Sequence, residues 1–282
     1  MILTQINIFP VKSLDGYSPE TAIVEREGLQ YDRRFMIVDP QGMFMTQRTN
    51  GKMAHLKAIV KEGFLIISEK QKPENTIKIP FDTHASDAPF MKVTIWNDEV
   101  LGQRVSPEMD EFLSDFLEKP CHLVKIAENR PVEQAYNTGN DSVSFADAYP
   151  FLIIGEASMT DLNKRILEKN IHSDKHIDPL SIRRFRTNFI FSGGAPYVED
   201  TWINFKIGHV DFTALKPCAR CVLITRDPDT GIKGSEPLTT LQTYRQIDKK
   251  IMFGQNLIWN PEKGRENTRP SVKIGDKITV FT

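Results

Sequence analysis

A period of two constrains this chain more than any other feature. From Leu3 to about residue 105 it is a succession of short runs, LTQINIF, RRFMIVD, HLKAIVK, GFLIISE, NTIKIP and MKVTIW, with β-branched and aromatic residues at alternating positions. Successive side chains of a strand point to opposite faces, so each run buries one face and wets the other, as an antiparallel barrel or sandwich requires. The period changes at Ser106-Pro107, a helix N-cap followed by Pro in the first turn, after which Met109, Phe112, Leu113, Phe116 and Leu117 fall on one face. Pro120 ends that helix and marks a boundary. A second helix is predicted over 157–169, with Ser158-x-x-Asp161 as its start signal and Met159, Leu162, Ile166 and Leu167 as its apolar stripe.

Strands resume in TNFIFSG, INFKIG, VDFTALK, CVLITRD, SVKIG and KITVFT, and the pairs Gly208-His209 and Gly275-Asp276 are placed as hairpin turns. The fold class is therefore mainly β with a few helices (α+β), and 282 residues suffice for two cores. A net charge of -1 supplies no whole-molecule field for nucleic acid or an anionic membrane, so any anion site must be local. The densest basic spots are Arg33-Arg34 and Arg183-Arg184-Phe185-Arg186, and solvated charge is the ordinary reading of both. The opening residues lack a signal-peptide pattern and no apolar run is long enough to span a bilayer, so the expected location is the cytoplasm, with no membrane partner. Three cysteines without framework spacing fit reduced thiols.

Two of them, Cys218 and Cys221, form a Cys-x-x-Cys in PCARCVLITRDPDTG. A redox dithiol sits at a helix start, whereas Cys221 is expected to open an apolar strand. A structural zinc needs about four ligands, yet only Cys121 remains, beside His122, with His55, His84, His172, His176 and His209 scattered. Simple burial is the ordinary fate of such a pair. In FPVKSLDG, Lys12 and Ser13 lie together on a turn, and Arg34 and Arg48 are close enough in sequence to join them around a phosphate, although no nucleotide-binding glycine fingerprint is present. In RRFRTNFIFSGG, Arg186 and Asn188 precede a strand; the Asn either reads a heterocycle edge or caps its own backbone.

Taken in order, FPVKSLDG, DRRFMIVDPQGMFMTQR, FADAYPFLIIGEASMTDLNKR, FRTNFIFSGGAPYVEDTW, IGHVDFTALKPCARCVLITRDPDTG, PLTTLQTYRQ and FGQN resemble the MOSC proteins along essentially the whole chain. The resemblance is to the branch that contains the mitochondrial amidoxime-reducing component and its bacterial counterparts. It implies a MOSC N-terminal β-barrel domain over 1–120 and a MOSC β-barrel domain over 121–282. It further implies a molybdenum cofactor, molybdenum on a pyranopterin dithiolene, with Cys221 as the protein's metal ligand and Cys218 not bound. That assignment suits a sulfur-loving metal. By the same matching Lys12, Ser13 and Arg34 hold the pterin and its phosphate, Arg186, Asn188 and Arg220 surround it, and Asp147 stands with Cys221 at the reacting centre.

The implied activity is reduction of N-hydroxylated substrates (amidoximes, hydroxylamines, N-hydroxylated bases), with no requirement for pyridoxal phosphate. A [2Fe–2S] cluster needs four cysteines and the chain has three, so the electrons are expected from a separate donor, ferredoxin-like or a flavin reductase. Two other readings stay open. In one, Cys221 carries a persulfide for metal-sulfur cofactor assembly; in the other, the chain binds or stores the molybdenum cofactor without turnover.

Overall fold

The computed structural model describes residues 1–82, 90–133, 141–170, 178–261 and 269–281; His84, His172 and His176 lie outside them. Its largest element is an eight-stranded sheet, ordered Ile2–Ile6, Phe189–Ser192, Phe151–Gly155, Lys250–Trp259, Val210–Arg220, Asn204–Ile207, Ile278–Phe281, with Gln246–Ile247 hairpinned onto Lys250–Trp259. Its two ends meet, because Ile2 bridges Lys277 and the Leu3 and Ile278 amides bond to Asp276 and Met1. The sheet is thus closed into a barrel, which removes the edges an open sheet would leave unpaired. Leu3 and Ile6, both fully buried, join Phe151, Phe189, Phe205 and Phe212 inside it, each contributing about 2 kcal/mol by leaving water.

Residues 8–15 then leave that barrel and run along a second body. There Phe35–Val38, His122–Ile126, Asp98–Arg104 and Phe90–Ile95 form one sheet, and Leu56–Lys61, Phe64–Glu69 and Thr76–Pro80 another. Lys12 donates its amide to Phe35, and Asp15 exchanges backbone bonds with Leu56 and Ala58. The helix Pro107–Leu117 closes this second core with Met109 and Leu113, starting where Ser106 accepts from the Met109 amide and stopping at Glu118, a left-handed cap. No helix among the described residues is long and apolar enough to cross a membrane.

Three local expectations are corrected. The second helix is Glu156–Lys169 and its N-cap is Gly155; the Ser158 hydroxyl is fully buried, donating to Glu199 and accepting from the Tyr197 amide at 2.7 Å, so it serves the core rather than the helix end. Gly208-His209 does form a two-residue hairpin turn between Ile207 and Val210, but Gly275-Asp276 passes the chain from Ser271–Lys273, which pairs with Thr21–Glu25, to the barrel's last strand. CVLITRD is not a strand. Val210–Arg220 pairs with Lys250–Trp259 up to Arg220 opposite Ile251, and the neighbour then turns back at Asp248 and Lys249, both at positive φ. With no partner left to extend the ladder, Val222–Thr225 winds into a 3₁₀ turn.

Lys250–Trp259 is the central strand, and Gly254 kinks it at φ +77, where a Cβ would stand 2.6 Å from Ile154 Cγ1 and 2.8 Å from the Ile153 carbonyl oxygen. Gly63 has the same φ, +77, in a hairpin turn with nothing within 4 Å of that point. Urea unfolding should show Gly63→Ala costing about 1 kcal/mol for backbone strain. Gly254→Ala should cost about 3 kcal/mol, since overpacking adds to the same strain. Equal losses would show that the crowding at Gly254 relaxes.

Candidate functional site

The segment that crosses between the two bodies brings Lys12 and Ser13 to a cavity of about 330 Å³, opposite the ends of Val210–Arg220 and Lys250–Trp259. Among the described residues, eight Lys or Arg side chains line it against one carboxylate, Asp147. Of the sequence-predicted residues it gathers Lys12, Ser13, Asp147, Arg186, Asn188, Arg220 and Cys221, with Cys218 also on the wall. Arg34 is not among them. Its guanidinium lies 2.8 Å from Glu25 and 3.4 Å from Glu27, and Arg33 takes the place in the cavity. Arg33 stands in a turn at φ 50, just before the strand Phe35–Val38, and the two adjacent guanidiniums part there, Arg33 to Asp32 and the cavity and Arg34 to Glu25.

The joint beneath the cavity is the carboxylate of Asp32, only 1% exposed. One oxygen accepts from the Phe9 amide at 2.7 Å; the other accepts from Asn188 Nδ2 at 3.0 Å and from Arg33. Arg33 in turn donates to the Arg186 carbonyl at 2.9 Å, and the Arg33 and Arg186 guanidiniums sit 4.5 and 4.3 Å from the Phe9 ring centre. Asn188 also donates to Asn7 and accepts from Leu152, so both amide hydrogens are taken up inside the protein. It caps backbone and joins strands.

The cations are placed by the protein but incompletely satisfied by it. Arg186 donates to Leu14 O at 2.7 Å; Arg220 donates to Phe253 O at 2.8 Å and Phe185 O at 3.2 Å; Arg184 pairs with Asp227. Each still keeps one buried nitrogen without a partner among the described residues: Arg184 Nε, Arg186 Nη2 and Arg220 Nη2. Buried donors are normally satisfied, so three orphans around one cavity mark a place for acceptor oxygens or ring nitrogens from a ligand. Burial and then the neighbouring Arg33 charge lower the Arg186 pKa to about 10, still fully charged at neutral pH.

Asp147 balances this field locally. Burial would raise its pKa, but the Lys12 ammonium, 2.5 Å from Oδ1, and the Trp96 indole, 3.1 Å from the same oxygen, hold it well below the usual carboxylate range. Lys12 also donates to Phe145 O at 2.9 Å, and burial lowers its pKa against the pull of Asp147. The sequence offers Trp96 only as the last residue of the strand run MKVTIW; the strand ends at Ile95 and Trp96 opens the turn after it. Arg184 stands in a basic run whose ordinary reading is solvated charge, and Lys216 and Lys250 have no signal at all, since surface and cavity cations look alike in one dimension.

The two cysteines separate here. Cys221 is exposed on the cavity wall as the residue before the 3₁₀ turn, while Cys218 is half-buried within the strand at a bulge. Burial pushes the Cys218 thiol up, opposed by Arg220.

Residues 1–120 match the family described as MOSC N-terminal beta barrel domain, and residues 140–279 match the MOSC domain. The mitochondrial amidoxime-reducing component 1 of Mus musculus is 29% identical, with 99% of this chain and 82% of that protein covered. That of Danio rerio is 31% identical, with 88% and 76% covered. The molybdenum cofactor sulfurase of Arabidopsis thaliana is 28% identical over 94% of this chain but only 34% of its own length. By these matches the chain belongs to the MOSC family, with a MOSC N-terminal β-barrel domain ahead of its MOSC domain.

Proposed function

We propose that the chain is a molybdenum-dependent reductase of N-hydroxylated compounds and that its cavity holds the molybdenum cofactor. The observation that carries this reading is an exposed Cys221 thiol on the wall of a cavity whose buried Arg184, Arg186 and Arg220 nitrogens lack partners. Phosphate oxygens and a heterocycle edge have the acceptors those nitrogens need, and a dithiolene-bound metal has use for one more soft sulfur. When bound, the cofactor supplies the two-electron chemistry that cleaves an N–O bond.

The protein's own part is orientation and charge. Lys12, Ser13 and Arg33 hold the anionic end from one side, and Arg186 and Arg220 from the other, with Cys221 as the sulfur ligand. Arg34 has no part in this, since Glu25 and Glu27 hold it away. Asn188 serves indirectly by fixing Asp32 and through it Arg33. Asp147, the one carboxylate in a cationic cavity, accepts from the substrate's N–H and orients its N–O bond. Electrons come from a separate donor, ferredoxin-like or a flavin reductase. A persulfide-carrier role for Cys221 would need the exposed thiol but leaves the three orphaned guanidinium nitrogens without purpose.

Protein made in cells that synthesise the cofactor should contain about one molybdenum per chain by elemental analysis. Cys221→Ala should lose it and Cys218→Ala should keep it, with benzamidoxime reduction by an artificial donor following the metal. Metal-free protein that carries labile sulfane sulfur would favour the persulfide role, and metal without reduction of any hydroxylamine or amidoxime would favour storage. The anion cradle has its own test in cofactor-free protein. Pyrophosphate at about ten times its Kd should raise the thermal midpoint by about 2 °C, and Arg186→Met should lose most of that shift.

A further inference from the structure

Trp96 breaks the local rules of its position. It is the first residue of the two-residue turn between Ile95 and Asp98, at φ +58, a conformation that such turns usually give to Gly. It is also 41% exposed, whereas Trp202 and Trp259 are 5% exposed each. A bulky, apolar, strained turn residue in water is disfavoured by both the backbone and the hydrophobic effect. Positions of this kind tend to be retained for function.

What the ring touches indicates the function. The Arg48 guanidinium lies 4.0 Å from its centre and the Phe44 ring 5.2 Å away, so the indole is held in one orientation. Its N–H reaches across to Asp147, and both donors to that side chain, Trp96 and Lys12, use Oδ1. Oδ2 has no hydrogen-bond or ion-pair partner among the described residues, and the side chain is 64% exposed. Two donors on one oxygen fix the carboxylate plane and leave the second oxygen as a placed acceptor.

We propose that Trp96 is a positioning residue which, with Lys12, clamps Asp147 so that its free oxygen selects substrates carrying an N–H next to the N–O bond. This rests on the reductase reading above and narrows its substrate class. Amidoximes, through the amino group on the carbon beside the N–O nitrogen, and N-monosubstituted hydroxylamines offer such a donor to a carboxylate; N,N-disubstituted hydroxylamines and aromatic and tertiary N-oxides offer no N–H, and the N-oxides meet only a negative charge. A charge-assisted hydrogen bond to a carboxylate fixed in one orientation discriminates by roughly tenfold.

Calorimetric titration of benzamidoxime into the molybdenum-loaded protein without any electron donor reads binding apart from turnover. Trp96→Phe keeps the ring and removes the N–H, and should weaken Kd and raise KM about tenfold while kcat stays within about twofold; molybdenum content should not change. Asp147→Asn should weaken binding at least as much, and the double variant no further than Asp147→Asn alone, since one residue acts through the other. Trp96→Gly should match the binding loss with a thermal midpoint at or above that of the wild type, which separates the effect from misfolding. Pyridine N-oxide should bind Asp147→Asn at least as well as wild type, or bind neither.

Wild-type affinity in Trp96→Phe, additive losses in the double variant, loss of molybdenum from Trp96→Phe, or a pyridine N-oxide affinity that falls with Asp147→Asn would each overturn the proposal. A wild-type protein that holds no molybdenum, or holds it and neither binds nor reduces benzamidoxime, refutes the reductase reading itself.

Discussion

The buried carboxylate of Asp32 joins the parts of this molecule that matter for the site. It takes the Phe9 amide from the crossing segment, the Asn188 amide from the MOSC barrel, and the guanidinium of its neighbour Arg33. A carboxylate removed from water needs several donors to be tolerated, and here each donor comes from a different stretch of chain. The result is a fixed distance between the cations of the first hundred residues and those of the last hundred. The closed barrel makes this possible, because the strand Ile2–Ile6 is anchored in it only a few residues before Lys12 is presented to the cavity.

A cavity so built carries an electrostatic cost in its empty form. Among the described residues Arg48, Arg186, Arg220 and Lys250 have no carboxylate partner, and Asp147 alone faces them from within. Like charges held close in a partly dry space repel one another, and the protein disperses them by carbonyl acceptors and aromatic faces: Leu14, Phe253 and Phe185 oxygens, and the rings of Phe9, Phe185 and Trp96. These contacts orient the guanidiniums without neutralising them. An anionic ligand gains from an arrangement already made, which is the physical meaning of preorganisation.

How much of this was legible in the sequence follows from what kind of signal each part leaves. The strand-rich fold and the Ser106-Pro107 helix start were readable because period two and capping chemistry are local. The central strand Lys250–Trp259 was not, since Gly254 and the buried Gln255 and Asn256 interrupt its apolar pattern. CVLITRD read as a strand because its residues favour one, yet whether a strand forms depends on a partner, and the partner ends at Lys250. The ordered motifs pointed by resemblance to Lys12, Ser13, Asp147, Arg186, Asn188, Arg220 and Cys221, all of which line the cavity. The choice between Arg33 and Arg34 depended on which of two adjacent side chains faces Glu25, a three-dimensional fact.

The exhausted ladder also explains the exposed thiol. Had the strand continued past Arg220, Cys221 would have been one more paired residue in a sheet, as Ala219 and Arg220 are. Because the neighbouring hairpin turns back first, the backbone rotates into the 3₁₀ turn and releases Cys221 to the cavity. Several left-handed residues stand at the same place, while others such as Glu118 and Asp248 lie in caps and turns elsewhere: Ser13 at φ 66, Arg33 at 50 and Arg186 at 51 all line the cavity, and Trp96, at 58, touches Asp147. Each is strained by about 1 kcal/mol relative to glycine there. The phenylalanine-packed barrel can sustain that, and three of the four buried side-chain atoms without a partner among the described residues belong to residues of the same cavity, where a ligand would have most use for them.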